Sequence, residues 1–586
     1  MQAARMAPRR FCFHLHAHLP WVLGHGRWPH GEEWLCEAAA ETYLPLVRAL
    51  RRLRDRGVRG GLTLSVSPVL AEQLAHSDFR DAFRGWSEER LETATAEVRR
   101  ATAEKDRARS NVAAYWERFH RDSLTFFFHG LQGDLLGALR DLEETGPLEL
   151  ATCAATHAYL PLLGRDETIA LELELARRSH ERHFGRAPRG LWLPEMAYRP
   201  AGRWWPPTRA GHARDRAGLE EAVAAAGLKW FVLDSALLIG GRGVGSYPET
   251  FRDREDLREE AESRSRPHPE PEDLRDTRRP YWVARSEGRR PEVAFFPRDP
   301  RTSLQVWSAE RGYPGDPAYL EFHKKSEAGG HRCWAVTGPD VDLADKVLYD
   351  PELAAARVQE HAKHFASLVL STLSNAPEES VLVSPFDAEL FGHWWYEGVA
   401  WLEAVLNRLH DDPRARLVRP SEHLDEMPPE TVVALPEGSW GQGGHHWVWH
   451  NPRVDWTWDL VHPEEDELWQ LRKEALSTGN QLALRVTRAM ARQLLILCAS
   501  DWAFLITTDG APDYAADRIR LHADDVARLS TLAREVLRGK DVPESEMGFL
   551  QEVETRDGLF PELEDALCEA AARGTASAGE RPGVDR

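Results

Sequence analysis

Two carboxylates stand out in this chain because each follows an apolar, strand-like run into an aromatic setting. Glu195 ends Arg189-Gly190-Leu191-Trp192-Leu193-Pro194-Glu195. Asp387 ends Val381-Leu382-Val383-Ser384-Pro385-Phe386-Asp387 and is followed by Phe391-Gly392-His393-Trp394-Trp395. Proline cannot donate a ladder hydrogen bond, so Pro194 and Pro385 are expected to end their strands and leave both acids just past a C-terminal strand end. In an α/β barrel that is the face on which active sites are built. A pair of acids can cleave a glycosidic bond, one attacking or stabilising the sugar while the other moves the proton. The aromatic content fits a sugar: there are 22 Trp against 20 Phe and 11 Tyr. An indole offers a flat face with a polar edge, on which a pyranose ring can stack. The plain alternative is that each acid caps a helix or solvates a strand end, and that the tryptophans fill a large core.

The elements that must position these acids are legible as seven short apolar runs: Phe11–His16, Leu62–Val66, Leu148–Cys153, Gly190–Leu193, Trp230–Leu233, Glu292–Phe296 and Ser380–Ser384. Helical patterns over Trp34–Arg54, Thr168–His183, Gly218–Ala226 and Ala354–Leu373 fill most of the gaps. This alternation predicts a parallel α/β fold, and the wide spacing suits a barrel with long loops better than an open sheet. No G-x-G-x-x-G fingerprint follows the first strand to support a dinucleotide-binding sheet. Residues 1–425 are expected to form this barrel. It carries a charged helical insertion at about 79–144 and a loop insertion at about 249–280 that is rich in Arg, Glu, Asp and Pro. Residues 426–570 change character. They open with the glycine- and tryptophan-rich run Gly438–Trp449 and continue in helical patterns over Glu464–Cys498 and Ala515–Arg538, which predicts a C-terminal helical domain. Residues 571–586 are small and polar and are expected to be disordered.

Composition narrows the partners. With 586 residues, 42% hydrophobic and 29% charged, the chain reads as a soluble globular protein of more than one domain. A net charge of −20 argues against nucleic acid or an anionic membrane as the main partner and suits a neutral polymer. Cys12, Cys36, Cys153, Cys333, Cys498 and Cys568 form no C-x-x-C pair. They read as reduced, mostly buried thiols, which points to the cytoplasm. Histidines rather than an apolar core follow Arg9-Arg10, and no run is long enough to span a bilayer, so neither export signal nor membrane anchor is expected.

The first strand has its own chemistry. In Phe11-Cys12-Phe13-His14-Leu15-His16-Ala17-His18, strict alternation puts Cys12, His14, His16 and His18 on one face. Imidazoles two apart on a strand can converge on a metal, bind sugar hydroxyls as neutral rings, or sit as satisfied core groups. A metallohydrolase would need more ligands at later strand ends, where only His157 and Asp387 are available.

At this point the residues resemble glycoside hydrolase family 57, in particular its 1,4-α-glucan branching-enzyme group. The resemblance rests on motifs in order: His16-Ala17-His18-Leu19-Pro20 with Gly24–Glu33, Thr152–His157, Leu191–Glu195 with Tyr198 and Pro200, Pro385–Trp395, Ser439–Trp449 and Ser500–Ile506. It covers nearly the whole chain and implies an incomplete (β/α)7 barrel with a helical insertion and a C-terminal helical domain. It implies a retaining double displacement without metal or cofactor, in which Glu195 is the nucleophile and Asp387 the general acid and base. It also implies that an α-1,4-glucan is bound by His16, His18, His157, Trp307, Trp394, Trp440, Trp449 and Asp501, with Trp307, Trp440 and Trp449 stacking on glucose rings.

Three departures are visible. Asp234-Ser235-Ala236-Leu237 stands where branching members usually carry Asp-x-His-Gly. The long charged insertion replaces a short tyrosine-bearing loop over the site, with Tyr247 and Tyr281 the tyrosines nearby. Met196 stands where a cysteine is common. Since a lid decides whether water or a glucan meets the intermediate, a hydrolase or 4-α-glucanotransferase on the same scaffold is the nearest alternative. A weakly active glucan-binding homologue and a metal-dependent hydrolase are the others.

Overall fold

The computed structural model describes residues 9–27, 30–208, 213–239, 276–285, 289–308, 312–326 and 330–579, with side chains to 573. The first strand, β1 (Arg9–Ala17), lies between β2 (Leu62–Val66) and the last barrel strand, β7 (Val381–Asp387). From β2 the sheet continues through β3 (Leu148–Cys153), β4 (Gly190–Trp192), β5 (Trp230–Leu233) and β6 (Ala294–Pro297), every neighbour parallel. Among the described residues, β6 meets β7 at a single bridge, Arg298 with Val383, where Asp299 N–H donates to the Val383 carbonyl at 3.3 Å. The incomplete (β/α)7 barrel expected from the sequence is therefore the fold, closed at a thin seam.

That seam explains one difference. Pro385 does not end its strand; it pairs with His14, and β7 runs on to Asp387. The Val383 carbonyl points at the seam, so the Pro385 nitrogen two residues on faces it too, where no ladder donor is required. Asp387 is thus the last residue of the strand, opposite His16.

The two faces of β1 do different work. Phe13 stacks on Phe365 (5.6 Å, 17°) of helix Pro351–Thr372 and meets Trp401 edge-on at 5.7 Å, which anchors the helical layer. On the other face, Cys12, His14 and His18 bond Thr63, Ser65 and Ser67 along β2. Helices Ser77–Ala103 and Arg107–Thr125 fill most of the 79–144 segment. Trp116 there donates to the Arg332 carbonyl at 2.6 Å, and Tyr115 bonds Tyr396 at 2.7 Å, beside the turn after β7. Residues 240–275, which hold Tyr247 and most of the 249–280 insertion, lie outside the described residues.

Six helices follow the barrel: Asp455–Thr478, Gln481–Leu497, Ser500–Thr507, Pro512–Leu537, Glu544–Arg556 and Leu563–Gly579. The pattern over Glu464–Cys498 is two helices, because Gly479 ends the first in the left-handed region (φ 65°) and Asn480 caps the second by accepting from Ala483 N–H at 3.1 Å. The last helix runs past residue 570 to Gly579, into the stretch expected to be disordered; an Ala-rich segment supports helix where small polar residues alone would not.

A buried carboxylate docks these helices on the barrel. Asp557, fully buried, accepts from Trp21 (3.0 Å) and Gln493 (2.9 Å), and also bonds His25 (2.6 Å) and Arg556 (2.8 Å). Burial pushes its carboxyl up, but His25, His522 and Arg556 outweigh this and hold it well below the ordinary range. A depressed carboxyl stabilises the fold fully above its unfolded value near 3.9 and loses that contribution as pH falls below it. Asp557→Asn should therefore cost about 3 kcal/mol in urea denaturation at neutral pH, with the gap to the parent narrowing below about pH 4. A gap that does not change with pH would assign the effect to packing alone.

Candidate active site

Strand ends bring the chemistry together by way of strained backbone. Glu195 sits in the left-handed region (φ 59°, ψ 21°), and so do Met196 (φ 47°) and, after β3, His157 (φ 61°). Such residues cost about 1–3 kcal/mol each and persist only where their surroundings hold them. Trp440 holds Glu195 twice, its backbone N–H on the Glu195 carbonyl (3.1 Å) and its indole N–H on Oε2 (2.9 Å). Ser500, from the C-terminal helices, donates to Oε1 at 2.8 Å.

The two acids are in unlike surroundings. Burial raises the Glu195 carboxyl to about 7, against the two donors, which favour its ionised form. Burial drives half-buried Asp387 well above the ordinary range, and the nearby carboxylates of Glu389 and Glu195 push it further the same way, with Arg298 opposing. Glu389 is raised by its own burial and is held by Tyr43 O–H (2.5 Å) and His18 N–H (3.1 Å). One acid is thus equipped to be an anion and the other to carry a proton, which is the division an acid–nucleophile pair needs.

The histidines form a stack. Trp192 lies on His16 (4.7 Å, 5°), His16 on His157 (5.0 Å, 19°), and His157 on His18 (4.0 Å, 14°). Burial lowers His16 and His157 far below their ordinary values, so both are neutral. Both ring nitrogens of His16 and Nε2 of His157 are buried without a hydrogen-bond partner, free to meet hydroxyls. His18 differs: Nδ1 bonds Ser67 (2.8 Å) and Nε2 bonds Asp501 (3.0 Å), so both ring nitrogens are engaged by the protein.

His18, His157 and Asp501, and separately His16, Cys153 and His157, place ligand-type atoms within 4.8 Å of one another. The geometry fits a metal poorly. Lone pairs lie in the imidazole planes, and stacked rings aim them side by side rather than at one point. The His18 nitrogens and His157 Nδ1 are already engaged, and burial pushes the Cys153 thiol well up, away from the thiolate a metal binds.

A cavity of about 400 Å³ is lined by Glu195, Asp387, His16, His18, His157, Trp307, Trp394, Trp440, Trp449 and Asp501, the residues expected to be catalytic or glucan-binding. Their environments separate them. Trp394 is 42% exposed, an open platform beside Asp387 in the chain. Trp449 is buried, with one ring face stacked on Tyr159 at 4.5 Å, so it backs the wall rather than offering a free face. Trp440 is held edge-on to Trp192 (5.4 Å, 77°) and spends its N–H on Glu195, so it positions a carboxylate as well as lining the site.

The glycine/tryptophan loop is packed closely on itself. A Cβ at Gly438 would meet the Gly444 carbonyl at 2.4 Å, and one at Gly441 would meet the Trp449 ring at 2.7 Å. These glycines let the loop fold tightly on itself, and Gly441 also lines the cavity. Asp234, in the segment that departs from the family pattern, caps helix Ser235–Leu238 and pairs with Arg298 at 3.2 Å; Arg298 in turn lies over the Trp440 ring (5.7 Å). Sequence reasoning missed Ser500, Glu389, Arg298 and the apolar wall of Trp34, Phe504 and Leu505. Ser500 and Glu389 lay inside quoted motifs, one beside Asp501 and the other two after Asp387; for Arg298 no sequence signal existed.

Residues 12–436 match Glycosyl hydrolase family 57, and residues 461–567 match the C-terminal domain of 1,4-α-glucan branching enzyme. The chain is 40% identical over 554 residues to a 1,4-α-glucan branching enzyme of Thermococcus kodakarensis, covering 94% of this chain and 77% of that one. It is 31% identical to a probable 1,4-α-glucan branching enzyme of Mycobacterium tuberculosis, over 89% and 91%. The crystal structure of a branching enzyme from Pyrococcus horikoshii superimposes with a TM-score of 0.83 at 38% identity, over 96% and 97% of the two chains. An α-amylase of Thermotoga maritima superimposes with 0.76 at 28%, over 96% and 99%.

Trp440→Phe keeps an aromatic ring, smaller than the indole, and removes the indole N–H while leaving the backbone bond to Glu195. It should lower kcat about 10–100-fold, as expected for losing a hydrogen bond to a charged group, and leave KM for amylose within about twofold. A raised KM with unchanged kcat would make Trp440 a stacking platform instead.

Proposed function

The chain belongs to glycosyl hydrolase family 57, and from that premise we propose that it is a 1,4-α-glucan branching enzyme whose nucleophile is Glu195 and whose acid and base is Asp387. The observation that carries the residue assignment is the contrast between the two carboxyls. Glu195 faces two donors that favour the anion, and Asp387 faces two acids that favour the proton.

In the first half-reaction Glu195 attacks the anomeric carbon of an α-1,4-linked glucose. Asp387 gives its proton to the departing 4-oxygen, which leaves a glycosyl ester on Glu195. In the second, ionised Asp387 takes the proton of a glucan 6-hydroxyl as that oxygen attacks the anomeric carbon, which breaks its bond to Glu195, forms an α-1,6 link and frees the carboxylate. The unpartnered nitrogens of His16 and His157 are suited to hold sugar hydroxyls without adding charge. Trp394 and Trp307 are suited to stack on glucose rings. The apolar wall of Trp34, Phe504 and Leu505 favours a glucan over water at the ester.

Incubation with amylose, followed by proton NMR for α-1,6 linkages and a reducing-end assay, tests the reading. New α-1,6 signals with few new reducing ends are expected, and Glu195→Gln should lower the rate by about a thousandfold or more. Reducing ends without branches would make the chain a hydrolase, and a Glu195→Gln variant with near-normal turnover would remove Glu195 from the nucleophile's place.

A further inference from the structure

We propose that Ser500, carried by the C-terminal helical domain, is a positioning residue that keeps Glu195 ionised and fixes the tautomer of His157. The inference rests on Glu195 being the nucleophile. Ser500 is 2% exposed, and its Oγ lies 2.8 Å from Glu195 Oε1 and 2.8 Å from His157 Nδ1, while those two atoms are 3.9 Å apart. One hydroxyl therefore bridges an acid and an imidazole that do not touch.

A hydroxyl has a single proton. When Glu195 is a carboxylate it can only accept, so the Ser500 proton goes to Oε1. The Ser500 oxygen must then accept from His157, which puts the imidazole proton on Nδ1. His157 is neutral, because burial lowers it far below its ordinary value. Its Nε2 is consequently a bare acceptor, buried, without a protein partner and on the cavity wall. A sugar hydroxyl would donate to it. If Ser500 instead donated to His157, its contact with Glu195 would require a proton on the carboxyl. The state of the nucleophile and the hydrogen-bonding sense of His157 are thus linked through one side chain.

The backbone supports this placement. Ser500 N–H donates to the His157 carbonyl at 3.0 Å, and Ala499 bridges Ala158 in antiparallel fashion, so the start of helix Ser500–Thr507 is laced to the turn after β3. His157 and Glu195 both sit in the left-handed region, and from there both side chains reach the same oxygen. The helical domain therefore does more than cover the barrel; it supplies a donor to the nucleophile.

The test is the pH dependence of branching on amylose in the full chain, with Ser500→Ala, Ser500→Thr and Glu195→Gln side by side. Loss of the donor should move the acidic limb of kcat alkaline by about one to two pH units, from the usual strength of a hydrogen bond to a charged group. KM should rise as well, because His157 loses the partner that keeps Nε2 an acceptor for the sugar hydroxyl, and Ser500→Thr should restore both the limb and KM. An acidic limb unmoved in Ser500→Ala, or a limb that Ser500→Thr fails to restore while it folds, overturns the proposal. If Ser500→Ala does not fold, Ser500→Cys, a weak donor of similar size, must show the same alkaline shift or the proposal falls. Glu195→Gln separates the two levels: an active variant defeats the nucleophile assignment itself, and an inactive one leaves the limb to decide the role of Ser500.

Discussion

The interaction on which this site turns is the pair of hydrogen bonds that Glu195 accepts where water is scarce. Burial raises its carboxyl to about 7 even with both donors in place, and for the nucleophile proposed here each donor counts, because a protonated acid cannot attack a sugar. The opposing donors come from far along the chain, Trp440 from the loop after the barrel and Ser500 from the helical domain. That makes the docking of distant segments a chemical requirement as well as a structural one. The buried Asp557 cluster fixes the helices to the segment after β1, and the Ala158–Ala499 bridge fixes them to the turn that carries His157. The left-handed backbone at Glu195 and His157 is tolerated because these contacts overdetermine it.

The second consequence is a division between charged and neutral groups. Asp387 and Glu389 are crowded acids at and just past the end of β7, and each is driven toward its protonated form. A protonated histidine beside them would reverse that shift. The stack of Trp192, His16, His157 and His18 keeps His16 and His157 neutral by burial, so their free nitrogens can bond hydroxyls without stabilising the wrong carboxylate. The Asp234–Arg298 pair sits on the other side, tying the barrel seam to the Trp440 ring. In the family pattern the segment after Asp234 differs, yet here Asp234 keeps a structural task as helix cap and Arg298 partner.

Much of the fold was legible because its signals are local. Leu62–Val66, Leu148–Cys153 and Trp230–Leu233 are strands over the same residues the apolar runs marked, since a strand buried on both faces needs little besides such a run. Pro385 was misread because its tolerance depends on the seam, a property of the closed sheet. The break at Gly479-Asn480 was a local cap signal overridden in reading by the apolar periodicity on both sides. Within the site, residue types placed the cavity but not the partners. Trp440 and Trp449 were read from their flat faces, whereas Trp440 uses its N–H and Trp449 leans on Tyr159. Ser500 and Arg298 carry no chemistry on their own that a sequence would flag; their meaning comes from the atoms opposite them.

The central claim is that Glu195 forms the covalent bond to the sugar while Asp387 handles the proton. Its most direct test is a trapped intermediate. An Asp387→Asn enzyme treated with maltosyl fluoride can still be glycosylated, because fluoride leaves without an acid, but it lacks the base that speeds release. Mass spectrometry of its peptides should find a maltosyl adduct on Glu195. An adduct on another carboxylate, or turnover of the fluoride with no adduct at all, would contradict the account.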